Sequence, residues 1–168
     1  SIIIPTYNRA HCILKTIESV MVQDFDQWEI ILVDDGSTDE TESVIKNLSN
    51  PKIRYFKKEN GERGAARNFG AKHAQGNFIN FFDSDDLMYP FHLSEAYKEL
   101  IKNPHIKCLC FPWEYYSSEG KFIGRRTGFD QDLNQVVQRK NWIHLNGAFI
   151  ERNLFLAHPF IEDRKFII

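Results

Sequence analysis

The sequence predicts an α/β fold: a Rossmann-like, mostly parallel sheet flanked by helices, followed by a smaller mixed antiparallel part. Apolar runs typical of buried parallel strands alternate with helical periodicity through residues 1–102. Such alternation indicates right-handed βαβ units. After Asn103 the pattern changes to short aromatic strands. The 168 residues suit one domain, with a first half at 1–102 and a second half at 103–168.

Four strands and four helices are predicted in the first half. The strands are the apolar runs at 1–5, 29–33, 53–56 and 78–82. Helical spacing predicts helices over 13–21, 61–74 and 92–102. A capping box of Ser37 and Glu40 predicts the start of another helix, which ends at Asn50 before a proline.

The second half is predicted to be β-rich. Residues 108–116 are strand-like and aromatic, and Glu119-Gly120 is a hairpin turn signal. A further strand is predicted over 144–150. In a strand, Cys108 and Cys110 would point to the same face, and we interpret them as small buried apolar residues.

Composition excludes some functions. The net charge is −2 with dispersed Lys and Arg, which argues against nucleic acid as a partner. An odd number of cysteines without paired spacing indicates a reducing, cytoplasmic location. No apolar run reaches the roughly 20 residues that span a bilayer, although peripheral association with a membrane stays open.

The two ends of the chain suggest a fragment. The sequence begins within a predicted strand without an initiating Met, and it ends on the apolar residues 166–168. We therefore expect the second half to be truncated.

Polar motifs follow three of the predicted strands, at residues 6–9, 34–37 and 83–86. Because the carboxyl ends of parallel strands meet at one edge of a sheet, the three motifs should converge there. The clustered carboxylates at 83–86 repel one another unless a hard cation binds, and such a cation suits a substrate with phosphates. Alternation sends Asp34 and Asp35 to opposite faces, so one of them can be a structural helix cap.

A glycine- and arginine-containing segment at 59–70 is a fourth signal. Gly61 and Gly64 permit close backbone approach to a ligand. Arg63 and Arg67 lie four residues apart on one helix face, where guanidinium groups would suit phosphate. The alternative is a solvated charged face.

Histidines and aromatic residues leave further alternatives open. The six histidines show no metal-ligand spacing, and His144 either reaches the site or is structural. The aromatic run of Trp113, Tyr115 and Tyr116 either stacks on a sugar or fills a core.

Together these motifs resemble glycosyltransferase family 2, the inverting nucleotide-sugar transferases of GT-A fold. The resemblance covers nearly the whole chain and rests on residues 1–8, 33–39, 64–68, 82–86 and 146–148. It implies metal-dependent transfer of a sugar from a UDP sugar to a hydroxyl acceptor. The acceptor would be a carbohydrate or lipid-linked molecule in polysaccharide or glycoconjugate biosynthesis, with the enzyme in the cytoplasm or at the cytoplasmic membrane face.

The resemblance also implies roles for individual residues. Asp35 would bond the uracil edge, Arg67 would approach the diphosphate, and Asp83 would lie near the ribose. The full implied set of nucleotide-binding residues is Pro5, Thr6, Tyr7, Arg9, Asp35, Gly64, Arg67, Asp83 and Ser84. Asp85, helped by Asp86, would hold Mn²⁺ or Mg²⁺, and Asn146 and Gly147 would line the donor sugar.

The general base is the point where the sequence departs from the family pattern. The family supplies its base from a Glu-Asp pair at the start of a late helix. Residues 160–164 look like the segment that often precedes that pair, so we expect the base just after Ile168, with Asp163 as the fallback. The chain should then bind nucleotide but transfer sugar poorly.

Three rival functions differ from this one. A non-catalytic nucleotide-sugar binding module would keep Asp35 and Asp85 but lack a base. A nucleotidyltransferase usually has a Gly-rich loop after the first strand, and residues 6–10 contain no glycine. A phosphoacceptor receiver domain fits the acidic cluster at 83–86 poorly. The sequence does not identify the donor sugar or the acceptor.

Overall fold

The computed structural model describes residues 1–126 and 145–162. The strands are β1 (Ile2–Thr6), β2 (Ile30–Asp34), β3 (Ile53–Lys57), β4 (Phe78–Phe81), β5 (Cys108–Cys110), β6 (Trp113–Tyr116), β7 (Phe122–Arg126) and β8 (Ala148–Glu151). The helices are α1 (Ile13–Met21), α2 (Thr41–Lys46), α3 (Glu62–His73), α4 (His92–Lys102) and α5 (Arg152–Ala157). A 3₁₀ turn, Leu145–Gly147, leads into β8.

Six strands form the main sheet in the order β3-β2-β1-β4-β8-β5. Strands β1 to β4 pair in parallel, whereas β8 runs antiparallel to both β4 and β5. A separate antiparallel hairpin of β6 and β7 completes the fold. The predicted class, a mostly parallel sheet with a small antiparallel part, is confirmed. The division of the chain into two halves stays a prediction.

The sheet is buried on both faces because successive residues of its central strands point to opposite sides. Ile2, Ile4 and Leu32 pack in one core against α1, α2 and α4. Ile3 and Val33 pack in a second core against α3 and α5. This two-sided burial explains the continuous apolar runs in the sequence.

Gly70 lets α3 approach the sheet closely. A Cβ at this position would lie 2.4 Å from Ile3 Cγ2 and 3.2 Å from Val33 Cγ2. Helix α3 therefore runs directly over β1 and β2, and its first turns lie at the carboxyl edge of the sheet.

The predicted capping box is wrong. Helix α2 begins at Thr41, and Glu40 at its N-cap makes no side-chain capping bond. The Ser37 hydroxyl instead accepts a hydrogen bond from the Asn8 amide at 2.9 Å, while Asp39 Oδ1 accepts one from the Thr41 amide at 3.0 Å. A contact with a distant loop thus replaces the local cap, and α2 starts three residues later than predicted.

Two predicted strands of the second half have different limits. The run at 108–116 is divided into β5 and β6. The Phe111 amide donates to the Gly147 carbonyl at 2.8 Å, in register with the pairing of β5 and β8, and Pro112, which has no amide hydrogen, ends this pairing. The strand predicted over 144–150 begins only at Ala148, after the 3₁₀ turn. His144 lies outside the described residues. The hairpin turn is confirmed, with Gly120 at φ 78°.

Cys108 and Cys110 share one face of β5, as predicted, with their sulfur atoms 4.0 Å apart. Both side chains are half-buried and unbridged. None of the helices within residues 1–126 and 145–162 combines the length and the apolar character of a membrane-spanning segment.

Candidate functional site

An open cleft of about 510 Å³ lies at the carboxyl edge of the sheet, where β1 and β4 end side by side. It is lined by Pro5, Tyr7, Arg9, Arg63, Asp83, Ser84, Asp85 and Asp86. Seven of the eight lining residues belong to the predicted nucleotide- and metal-binding set, and the eighth, Arg63, is one of the two arginines considered for phosphate. The convergence of the loops after β1 and β4, expected from parallel strands, is therefore present in the structure.

The loops after β1 and β2 are bonded to each other. Asn8 has the left-handed backbone conformation, φ 52°, which asparagine tolerates better than most residues. Its Oδ1 accepts a hydrogen bond from the Thr38 amide at 2.8 Å, and the Arg9 amide donates to Thr41 Oγ1 at 2.9 Å. These bonds fix the backbone beside Tyr7 and Arg9.

Asp83 is paired with Arg67 of α3. The distance from Arg67 Nη2 to Asp83 Oδ1 is 2.7 Å, and the arginine side chain is only 13% exposed. Arg67 Nε is buried and has no partner among the described residues. Arg67 does not line the cleft itself, but its guanidinium bonds Asp83, which does.

Asp85 is the most accessible carboxylate of the acidic loop. Its side chain is 55% exposed, and Arg9 Nη2 is 3.6 Å from its Oδ2. An exposed ion pair of this length contributes little to stability. The Ser84 carbonyl accepts the Thr16 hydroxyl at 3.0 Å, which anchors the loop to α1. Asp85 is thus free to change partners while the loop stays in place.

Asn146 bridges the two ends of the acidic loop. The Asp83 amide donates to Asn146 Oδ1 at 3.2 Å, and Asn146 Nδ2 donates to the Asp86 carboxylate. The buried Asn80 side chain in turn donates to the carbonyls of Asn146 and Ala148 at 2.8 and 3.0 Å. The predicted sugar-side residue therefore shapes the loop that carries the predicted metal ligands.

Close packing against the backbone of Phe111 explains why position 147 is a glycine. A Cβ at this position would lie 2.5 Å from the carbonyl oxygen of Phe111, so a side chain would force the backbone apart. Gly147 does not line the cleft. Its predicted contact with the donor sugar stays a prediction.

Asp34 and Asp35 have different partners, as their alternation predicted. Asp34 is fully buried and accepts the Ser37 amide at 2.7 Å and the Tyr55 hydroxyl at 2.6 Å, so it is the structural member of the pair. Burial and the bond to Asp34 raise the pKa of Tyr55.

Asp35 Oδ1 accepts hydrogen bonds from Lys58 Nζ at 2.6 Å and the Gly61 amide at 3.0 Å. Lys58 was not predicted. Because it directly follows β3, which pairs with β2, the rule that grouped the other loops would have found it.

The remaining residues predicted to contact the nucleotide differ in their exposure and in their position relative to the cleft. Tyr7 is exposed in the cleft, but Thr6 is buried and its hydroxyl has no partner among the described residues. A Cβ at Gly64 would lie 3.6 Å from Ile161 O and from Phe160 Cβ, so this glycine faces the chain itself and not an open cleft. The aromatic side chains of Tyr115 and Tyr116 are exposed outside the cleft lining.

The residues present could hold the predicted metal ion only together with oxygen atoms from a bound substrate or water. Within residues 1–126 and 145–162, no three His, Cys, Asp or Glu side chains form a cluster that could hold a metal. Mg²⁺ and similar ions, however, bind through one or two carboxylates and complete their coordination with substrate phosphates and water. The oxygen atoms of Asp85 and Asp86 suit that arrangement.

The predicted base cannot be placed. Asp163, the fallback position, lies outside the described residues. The neighbouring Glu162 is described, and its Oε1 accepts a hydrogen bond from Asn68 Nδ2 at 2.8 Å.

Comparisons with known sequences agree on one family. The sequence model described as "Glycosyl transferase family 2" matches residues 1–162. The chain is 42% identical, over 99% of its length and 54% of the relative's, to the GalNAc(5)-diNAcBac-PP-undecaprenol beta-1,3-glucosyltransferase of Campylobacter jejuni. It is 38% identical, over 61% of its length and 41% of the relative's, to the UDP-Glc:alpha-D-GlcNAc-diphosphoundecaprenol beta-1,3-glucosyltransferase of Escherichia coli.

Solved structures share the fold. Residues 1–349 of TarS from S. aureus, in complex with UDP-GlcNAc, match with a TM-score of 0.76 and 25% identity, over 93% of this chain and 46% of that one. The chain spans only part of the length of its relatives by sequence. It matches 20% of an uncharacterized glycosyltransferase of Rickettsia felis and about half of the Campylobacter jejuni relative.

Proposed function

This chain belongs to glycosyl transferase family 2, and on that premise we propose that it forms the donor-binding part of an enzyme that transfers a sugar from a UDP sugar to a hydroxyl acceptor, with inversion. The observation that carries the proposal is the cleft at the carboxyl edge of the sheet. There Arg9 and Arg63 stand beside the acidic loop at 83–86, so one site offers groups for both phosphate and a divalent cation.

The relatives support the choice of donor and acceptor. The Campylobacter jejuni and Escherichia coli relatives are named as glucosyltransferases of undecaprenol-diphosphate-linked saccharides, and the name of the second gives UDP-Glc as the donor. The TarS structure contains UDP-GlcNAc. For this chain we propose a UDP sugar as donor and a lipid-linked saccharide as acceptor, in glycoconjugate biosynthesis at the cytoplasmic face of a membrane.

Charge exchange at the cleft gives a physical route to donor binding. The exposed Arg9–Asp85 pair costs little to separate, so Arg9 can turn to a phosphate and Asp85 to a cation. The better buried Arg67–Asp83 pair keeps its geometry and presents the guanidinium towards the diphosphate. In this arrangement the loop after β2, with Asp35, faces the base.

A bound Mn²⁺ or Mg²⁺ would neutralise the charge that develops on the leaving diphosphate. The residues of this chain that would hold it are Asp85 and, with its carboxylate oriented by Asn146, Asp86. We assign the role of general base to none of the described residues. The proposed position of the base is after Ile168 or, as the fallback, Asp163.

A non-catalytic nucleotide-sugar binding module is the second candidate. It is favoured by one observation: the carboxylates that line the cleft, Asp83, Asp85 and Asp86, are all assigned to the donor or the metal, so none of them is left to act as a base. An assay of sugar transfer with the natural protein separates the two candidates, because only the enzyme turns over.

Thermal unfolding tests the donor site. We expect UDP with Mn²⁺ to stabilise the chain, by about 2.7 kcal/mol at a hundredfold excess over Kd, and EDTA to reduce this stabilisation. Asp85→Asn, which keeps the side-chain volume, should remove the metal-dependent part. Glu95→Gln is the matched control, because Glu95 is an acidic surface residue on α4 that pairs with Lys98. Equal stabilisation with EDTA, or an unchanged response in Asp85→Asn, would refute the site.

The same chain tests the position of the base. We expect residues 1–168 to bind UDP but to transfer sugar poorly or not at all. Robust turnover by this chain that disappears in Asp163→Asn would show instead that Asp163 is the base.

A further inference from the structure

Asn68, on α3, holds a segment that lies more than ninety residues away in the sequence. The side chain is 3% exposed. Its Nδ2 donates to Phe160 O at 2.8 Å, and its Oδ1 accepts from Phe160 N at 2.9 Å. Nδ2 also donates to Glu162 Oε1 at 2.8 Å. Both amide hydrogens and the amide oxygen are thus used, as in a pairing between two strands.

The Phe160 ring connects this segment to the cleft. Its centroid is 5.4 Å from that of Phe81, the last residue of β4, and 5.3 Å from that of Phe155. The Arg67 guanidinium carbon lies 5.9 Å from the same ring centroid, within the range of a cation–π contact. Arg67 therefore rests on Phe160 on one side and bonds Asp83 on the other.

Three positions of α3 form one face towards the segment at 160–162. Gly64, Arg67 and Asn68 follow the i, i+3, i+4 spacing that places residues on a common helix face. Gly64 packs against Phe160 and Ile161, Arg67 covers the ring, and Asn68 bonds the backbone. The last of these contacts is directional, so Asn68 determines where the ring lies.

We propose that Asn68 is a positioning residue that binds the 160–162 segment to α3 and, through the Phe160 ring, holds the Arg67 guanidinium beside Asp83. The proposal rests on the proposed function in one respect, the assignment of Arg67 to the donor diphosphate. It links the donor site to the part of the chain that leads towards the proposed base. Asn68 itself touches no substrate.

The substitution Asn68→Asp tests the proposal with almost no change in volume. An aspartate keeps the acceptor for the Phe160 amide, loses both donations, and places a second carboxylate beside Glu162. We expect it to weaken binding of UDP with Mn²⁺ about fivefold to tenfold, the size of a lost hydrogen bond. Adding Glu162→Gln should recover part of the affinity, because a glutamine amide can donate to the new carboxylate.

A double-mutant cycle with Arg67→Gln distinguishes positioning from general loss of stability. If Asn68 acts through Arg67, Asn68→Asp should lower UDP affinity by less than about twofold when Arg67 is already replaced. An equal loss in both backgrounds, or an unchanged affinity in a folded Asn68→Asp variant, overturns the proposal. Phe160→Leu, which keeps the backbone bonds but removes the ring, should reproduce the loss if Asn68→Asp does not fold.

Failure of the proposed function would be visible in the same experiment. If the wild-type chain binds no UDP, the function is wrong, and the cycle is then measured on the midpoint of thermal unfolding. Non-additive effects of Asn68 and Arg67 would still support the positioning, and additive effects would overturn it. Faster amide hydrogen exchange at Phe160 in Asn68→Asp is expected in either case.

Discussion

Replacing Gly147 with alanine separates two explanations for this residue. The resemblance to the family predicts that Gly147 lines the donor sugar, whereas the structure places it against the backbone of Phe111. The Phe111 amide donates to the Gly147 carbonyl at 2.8 Å, and a Cβ on Gly147 would lie 2.5 Å from the Phe111 carbonyl oxygen. Backbone atoms cannot rotate away as a side chain can.

The expected cost follows from these distances. Inserting one carbon into a packed site costs about 1–3 kcal/mol, and the strained hydrogen bond adds about 1 kcal/mol. We therefore expect Gly147→Ala to lose about 2–4 kcal/mol of the free energy of unfolding, or about 5–15 °C in Tm for a chain of this size. Asn146 precedes it, so the acidic loop should also loosen.

Gly64→Ala is the matched control, because its Cβ would meet its neighbours at an ordinary 3.6 Å. Within helix α3 this change should leave stability unchanged or raise it by up to about 1 kcal/mol. The measurement is urea unfolding of both variants, together with affinities for UDP and UDP-GlcNAc. If Gly147→Ala keeps wild-type stability and loses affinity for UDP-GlcNAc alone, the packing explanation is refuted.

Three further predictions concern stability. Burial lowers the pKa of His92 to about 4, so the folded state resists protonation and its stability should fall as pH drops below the unfolded value. Between pH 7.5 and pH 5 this residue should lower the free energy of unfolding by about 2 kcal/mol. Urea unfolding at both pH values should show this loss in the wild type but not in His92→Phe. An equal loss in both proteins would contradict the prediction. Tyr55→Phe removes a donor from buried Asp34 and should cost about 1.5–3 kcal/mol in the same assay, whereas a neutral result would show that water replaces the hydroxyl. Gly70→Ala should cost about 1–3 kcal/mol, since its Cβ would overlap the Cγ2 methyl of Ile3, and adding Ile3→Leu, which lacks that methyl, should recover part of the loss if the overlap is the cause.

Most elements of the first half could be predicted because their signals are local. Helices α1 and α4 have their predicted bounds, and the first four strands lie within one residue of theirs. The predictions that failed involve contacts between distant parts of the chain. Ser37 bonds Asn8 and not its own helix. Residues 145–147, predicted as part of a strand, form a 3₁₀ turn in which Asn146 bonds Asp83 and Asp86. No local pattern contains these partners.

The candidate site likewise has features that the sequence predicted and features that it did not. The placement of carboxylates and arginines at the carboxyl edge could be predicted, because parallel strands bring their ends together. Lys58, which follows β3, was within reach of that rule and was missed. The bridging role of Asn146 was out of reach, because it depends on a 3₁₀ turn that sets the side chain between Asp83 and Asp86.

The sequence by itself determined the strand-helix alternation, the edge at which the acidic loop lies, and the family. These follow from apolar periodicity and from residue types at strand ends, which are properties of neighbouring residues. Only the tertiary structure decided the pairing of charges and amides: Arg67 with Asp83, Lys58 with Asp35, and Asn68 with Phe160. Each pair joins groups at least sixteen residues apart, and a hydrogen bond forms only when packing brings its donor and acceptor to within about 3 Å.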